Sequence, residues 1–164
     1  MDLGVTINRN PKSSSCFFNE IFKGFEKVKV VRSMFGDKTE KILSSTKVVL
    51  SIRKGYLHVD DKTGSIIISS SYLKSADERE IYLDLIHELT HIRQLMDGME
   101  LFDQRYSYVD RPTEIEAYKK VVEEARRIGM SKEEIINYLW VEWINDEEFE
   151  RLLNNLRKLV SVPL

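Results

Sequence analysis

Hydrophobic positions in the second half of the chain recur with the spacing of an amphipathic helix. The clearest case predicts a helix over residues 77–96. Ser75 or Asp77 can cap the start of this helix, and Gly98 can end it. A single apolar stripe runs along it, made of Ile81, Leu85, Leu89, Ile92 and Met96.

Start and stop signals predict three more helices downstream. Pro112 suits the first turn of the next helix, and Ser131 with Glu134 forms a capping box that opens another. Pro163 would stop the last one. The predicted helices cover residues 112–128, 131–145 and 146–160.

The first half of the chain mixes helical and β patterns. Two β-rich runs, residues 56–59 and 65–69, flank a short loop that ends in Gly64, which predicts a hairpin. Residues 1–15 are interpreted as a loose N-terminal arm. The remaining predictions are a short amphipathic helix over residues 16–27, a strand over 27–32, and a helix followed by extended chain over 40–53.

These elements predict an α+β fold in one domain. The chain has 164 residues and a mass of 19.3 kDa, enough for one hydrophobic core. Residues 1–54 would form an N-terminal helical and β extension, 55–128 the central core, and 129–164 the C-terminal helices.

Charge is unevenly distributed along the chain. Residues 1–75 carry 13 Lys and Arg against 7 Asp and Glu, a net +6, and the remainder has a net −8. We expect the two halves to attract each other and expect no nucleic-acid partner, because no dense basic cluster with interleaved aromatic residues occurs. A regulator that binds nucleic acid through the basic half stays an alternative.

Composition also bears on location. No apolar run approaches the roughly 20 residues that span a bilayer, residues 1–10 lack the layout of a signal peptide, and the single Cys16 cannot form an internal disulfide. A cytoplasmic location is therefore expected. Abundant Glu, Lys and Ile with only two glutamines favour a thermophilic source.

The candidate chemistry lies in His87-Glu88-Leu89-Thr90-His91 on the helix predicted over residues 77–96. Residues four apart lie on one helix face, so His87 and His91 can direct two ring nitrogens at one cation. Glu88 lies beside the pair without having to bind the cation, and it can act as a general base on a water. The spacing predicts a metal site, with zinc preferred.

A catalytic zinc needs a third protein ligand and one open position. Glu114 and Glu116 at the start of the next predicted helix are the candidates, and they point in different directions because they are two residues apart. Cys16 could bind zinc from the N-terminal arm and block the site, whereas His58 is expected to be a polar strand residue.

Together with Glu114-Ile115-Glu116-Ala117, the His-Glu-x-x-His helix resembles the gluzincin metallopeptidases, and the size of the chain is similar to that of the minigluzincins of thermophilic prokaryotes. The resemblance covers roughly residues 55–128. It implies a zinc metallopeptidase with His87, His91 and Glu114 as metal ligands and Glu88 as the catalytic base. Its substrate would be a peptide or an unfolded protein. Many relatives have an acidic residue after the alanine, where this chain has Tyr118.

Several alternatives stay open for the surroundings of the site. The free edge of residues 65–69 could bind an extended peptide. Tyr106, Tyr108 and Arg111 are expected to pack or to pair with neighbours rather than to act on substrate. The C-terminal helices, with Trp140, Trp143, Phe149 and Leu152, are expected to pack in the core, but they could cover the site or form a homodimer. A latent enzyme and a non-catalytic metal scaffold are the competing functions.

Overall fold

A computed structural model describes residues 2–55, 57–160 and 164. The described strands form a two-stranded antiparallel ladder, β1 with β3, and a four-stranded sheet in the order β2-β4-β6-β5. In that sheet β4 and β6 are parallel and the other pairs are antiparallel. The strands are β1 (Thr6–Ile7), β2 (Ser15–Phe17), β3 (Phe22–Lys23), β4 (Lys47–Ser51), β5 (Leu57–Asp60) and β6 (Ser65–Ser69).

Helices make up most of the remaining described chain, which gives the expected α+β class in a single domain. None of them has the length and apolarity needed to cross a bilayer. They are α1 (Phe18–Ile21), α2 (Lys29–Phe35), α3 (Thr39–Ser45), α4 (Ser70–Ser75), α5 (Glu78–Met96), α6 (Pro112–Arg127), α7 (Lys132–Leu139) and α8 (Asp146–Arg157).

Helix α5 is the centre of the molecule, because it packs against α6, α2 and strand β5. The Asp77 carboxylate caps its first turn by accepting the Arg79 N–H at 2.9 Å, and Gly98 follows its end with a φ of 79°. Of the predicted stripe, all but the half-exposed Met96 are buried. A helix buried on most of its circumference can hold polar side chains in water-poor surroundings.

Most element predictions are confirmed. The hairpin forms as β5 and β6, with His58 opposite Ile67, although the predicted start at Tyr56 lies outside the described residues. The stretch over residues 40–53 divides into α3 and β4 as expected. Helices α6 and α8 lie where the capping signals place them, and Pro163 lies outside the described residues. Helix α7 ends at Leu139, earlier than the predicted residue 145.

The helix expected over residues 16–27 is wrong. Its phenylalanines do reach the core, where the Phe18 and Phe22 ring centroids lie 5.0 Å apart and Phe18 and Phe25 lie 5.3 Å apart. They do so through one helical turn, a short strand and a 3-10 turn rather than through one helix. Gly24 breaks the segment, because its φ of 96° belongs to the left-handed region.

The strand expected over residues 27–32 is also wrong, because this segment opens α2. The alternating Lys and Val residues suggested a period of two. Val28, Val31, Met34 and Phe35 are the positions that become buried, and their spacing is helical. The helical period becomes clear only when Met34 and Phe35 are considered together with residues 27–32.

Strand β6 has no free edge, so the proposed peptide site on residues 65–69 is wrong. Its two neighbours, β4 and β5, both form hydrogen-bonded ladders with it. The hairpin pattern predicts the pairing of β6 with β5. It does not predict the parallel pairing of β6 with β4, because parallel strands are joined by a longer crossover connection.

We expect Gly24→Ala to destabilise the protein more than Gly129→Ala, measured by denaturant unfolding. Both glycines have nearly the same positive φ, 96° and 91°, so the left-handed backbone affects both variants equally. A Cβ on Gly24 would lie 2.4 Å from the Gly4 carbonyl oxygen, whereas one on Gly129 meets nothing within 4 Å. The difference should be about 1–3 kcal/mol; equal losses would contradict the close approach.

Candidate metal centre

His87, Glu88 and His91 lie on the buried length of α5. His87 and His91 are four positions apart, about one helical turn, so both rings project towards the same neighbour, α6. Their ring centroids are 4.8 Å apart. The water-poor position strengthens electrostatic interactions between these rings and any charged partner.

Helix α6 delivers the third side chain, Glu114, from its first turn. Pro112 occupies the start of the helix, where its missing N–H costs nothing, and the Thr113 hydroxyl donates to the Leu101 carbonyl at 2.8 Å. These contacts fix the start of α6 against the connector. Ala117, one turn on, is fully buried, and its small side chain suits a close approach of α6 to α5.

Three ligand atoms converge between the two helices. Glu114 Oε1 lies 3.0 Å from His87 Nε2 and 2.6 Å from His91 Nε2, and the two nitrogens are 3.1 Å apart. Zinc bonds of 2.0–2.1 Å in tetrahedral geometry place neighbouring ligand atoms about 3.3 Å apart. A small shift outward would therefore let the same three atoms bind one metal ion.

Gln94 fixes the orientation of His91. Its amide nitrogen donates to the Thr113 carbonyl at 3.0 Å and to Glu116 Oε1 at 2.8 Å, so its oxygen must face His91 Nδ1, 2.8 Å away. The Nδ1 proton of His91 is then donated to Gln94, which leaves Nε2 directed at the site. This arrangement is the one that metal-binding histidines adopt.

The electrostatics of the three groups are strongly coupled. Burial by itself would lower the pKa of His91, but the hydrogen bond and the charge of Glu114 outweigh it and raise the pKa to about 9. Burial would raise the pKa of Glu114, yet the two histidines hold it well below its usual range. A proton on His91 Nε2 thus occupies the position that a metal ion would take, and the two compete.

Glu88 differs from the other three because it is not among the group that could bind the metal. Its Oε2 is buried and has no hydrogen-bond partner among the described residues. Burial raises the pKa of Glu88 to about 7, which the two histidines oppose. A buried carboxylate oxygen without a donor fits a site that accommodates a water or a substrate.

Tyr118 contacts His87 through its ring and not through its hydroxyl. The two ring centroids are 4.6 Å apart at 69°, and the Tyr118 hydroxyl is 2.6 Å from the Tyr108 hydroxyl. Tyr108 in turn packs against Trp143, which is 64% exposed. Tyr118 therefore supports the His87 ring by aromatic packing and not by a hydrogen bond.

Other candidate residues lie elsewhere. Glu116, the alternative third ligand, binds Gln94 instead. Cys16 lies in β2, at the opposite edge of the sheet from β5, and neither it nor His58 belongs to the converging group. Tyr106 is exposed, and Arg111 donates to the Asp103 carbonyl. Sequence reasoning missed Gln94, although its position three residues after His91 on the same helix was a usable signal.

No family model, curated protein or solved structure matches this chain. The class of site is therefore defined by its own residues. It is a buried group of two histidines and one glutamate that could hold a metal ion, with a second buried glutamate beside it.

We expect Gln94→Ala to weaken zinc binding roughly 10–100-fold, because the variant frees the His91 ring and removes its hydrogen-bond partner. Competition with a coloured chelator measures the affinity. Gln104→Ala is the matched control, because Gln104 is exposed and donates only to the Phe102 carbonyl. Equal affinities in the two variants would show that Gln94 does not orient the ligand.

Zinc affinity should rise with pH by about tenfold per unit between about pH 6 and 8. The sign follows from His91, whose pKa of about 9 in the protein without metal means that zinc must displace a proton throughout that range. The gain should level off once the pH exceeds that pKa. Calorimetry in buffers of different ionisation enthalpy should detect about one released proton per zinc. If no proton were released at neutral pH, zinc would not compete with a proton on His91, which would contradict the proposed binding of the metal ion at this nitrogen.

Proposed function

We propose that this protein is a zinc-dependent peptidase of the gluzincin type that hydrolyses peptides or unfolded proteins. The observation that carries the proposal is the convergence of His87 Nε2, His91 Nε2 and Glu114 Oε1 with the partnerless Oε2 of Glu88 as a buried neighbour. The spacing of the His-Glu-x-x-His segment and the glutamate on the following helix supports it.

The donor set favours a catalytic zinc over a structural one. Structural zinc sites usually have four protein ligands, mostly cysteine, whereas catalytic sites have three and an open position. The group formed by the described residues has three members and no cysteine. Two imidazoles and a carboxylate suit zinc better than magnesium or calcium, which prefer oxygen ligands.

The chain's own residues divide the chemistry among them. Zinc held by His87, His91 and Glu114 would supply a Lewis acid that lowers the pKa of water and polarises a peptide carbonyl. Glu88 takes a proton from the attacking water and then gives it to the leaving amine. Its buried position, with a pKa raised to about 7, suits a group that must both accept and release a proton near neutral pH.

A latent peptidase or a metal-bound scaffold is the second candidate, and the burial of the site favours it. The side chains of His87, His91 and Glu114 are only 10%, 4% and 6% exposed. The test compares cleavage of an unfolded protein by the zinc-loaded chain before and after limited proteolysis. Activity that emerges only after proteolysis indicates latency, and none in either state indicates a scaffold.

Glu88→Gln should keep zinc and lose activity. The amide has nearly the same shape but cannot accept a proton from water, so turnover should fall by about 10²–10⁴-fold. The assay is cleavage of an unfolded protein together with metal content by elemental analysis. Glu78→Gln, at the exposed start of α5, is the control and should cleave like the wild type. Undiminished cleavage by Glu88→Gln would refute the role of the base.

A further inference from the structure

Asp84 is a second carboxylate close to the candidate metal centre, and none of the roles described above involves it. It lies on α5, three residues before His87 and one helical turn before Glu88. Tyr138 of α7 donates its hydroxyl proton to Asp84 Oδ1 at 2.5 Å, and the Tyr72 hydroxyl of α4 donates to Oδ2. Both carboxylate oxygens thus accept hydrogen bonds from neutral donors on separate helices.

Among the residues that the structure describes, no lysine or arginine pairs with Asp84, and His87 is the one nearby group whose charge favours its ionised form. Its charge instead adds to that of Glu88, whose pKa it raises. Burial raises the pKa of Asp84, and the tyrosine hydrogen bonds and His87 oppose the rise. A cation at His87 would stabilise its ionised form.

We propose that Asp84 is the outer countercharge of the metal centre, which strengthens the binding of a divalent cation without touching it. The inference rests on the metal centre of the proposed function but not on peptide cleavage. With neutral histidines, Glu114 is the carboxylate that would contact a dication, and Asp84 adds a negative charge farther out, beside that of Glu88 when Glu88 is ionised. Coulomb attraction to a nearby negative charge offsets the desolvation penalty of a buried cation, and in the interior this attraction acts beyond direct contact.

Asp84 could instead be a structural residue whose carboxylate holds α4 and α7 together through Tyr72 and Tyr138. The two roles predict opposite effects of Asp84→Asn on the stability of the protein without metal. Asparagine keeps the size and can still hydrogen-bond both tyrosine hydroxyls, since a hydroxyl accepts as well as donates. Removing one of several crowded negative charges should leave the unfolding temperature of this form unchanged or higher. A structural role that depends on the carboxylate predicts a lower unfolding temperature instead.

The experiment measures zinc affinity by chelator competition, and the unfolding temperature in the presence of a strong chelator. Asp84→Asn should bind zinc about tenfold or more weakly and should lose no stability without metal. Glu80→Gln is the matched control, because it removes an equal charge one turn earlier on α5 at an exposed position. Its zinc affinity should stay within about twofold of the wild type.

Tyr138→Phe separates charge from geometry, because it removes one hydrogen bond and leaves the carboxylate in place. It should lower stability while keeping zinc affinity within about threefold. Wild-type affinity in Asp84→Asn would overturn the proposal. So would an equal loss of affinity in Tyr138→Phe, which would assign Asp84 a geometric role. A wild type that binds no zinc would overturn the metal centre itself, whereas zinc binding without cleavage would contradict only the peptidase assignment.

Discussion

The placement of the Glu114 carboxylate between two buried imidazoles is the interaction on which the arrangement of α5 and α6 depends. An ionised carboxylate in a protein interior is costly unless hydrogen bonds and opposite charge compensate it. Here the same oxygen faces both ring nitrogens, at 3.0 and 2.6 Å. The two helices must therefore approach closely and in one register, and the buried Ala117 suits that approach. Two contacts fix the first turn of α6: the Thr113 hydroxyl donates to Leu101 in the connector, and the Gln94 amide of α5 donates to the Thr113 carbonyl.

Acidic side chains from α5 and from the first turn of α6 lie close together around the candidate metal centre. Three carboxylates, Asp84, Glu88 and Glu114, act on one another through space, and no lysine or arginine of the described residues is among the charges that lower their pKa values. The histidines are the only cations within this group, and only while they carry protons. Three carboxylates this close repel one another, and protonated histidines offset part of that repulsion. A divalent cation held between the histidines and Glu114 would offset it further, which fits a group that could hold a metal ion.

The parts of the fold that sequence predicted well are those where local pattern and burial agree. The period of α5, its Asp77 cap and the paired strands around Gly64 each follow from residues a few positions apart. The helix predicted over residues 16–27 was wrong because the conformation of this segment depends on distant partners. Gly24 turns where the Gly4 carbonyl leaves no room for a side chain, and β3 exists because Thr6 and Ile7 pair with it. Local spacing carries no information about either contact.

The same distinction explains what could be anticipated in the site. The positions of His87, Glu88 and His91 on one helix follow from spacing alone. The expectation that the next helix packs alongside left Glu114 and Glu116 as candidates, and the preference for Glu114 came from the resemblance to gluzincins. The role of Gln94 required knowing which groups its amide nitrogen meets, and these lie 19 and 22 residues further along the chain. Once Thr113 and Glu116 take both N–H bonds, the amide oxygen has only His91 to face. Glu116 was the alternative candidate by spacing, but it accepts a hydrogen bond from Gln94 and so helps to orient His91 indirectly. Glu114 faces the two histidines directly.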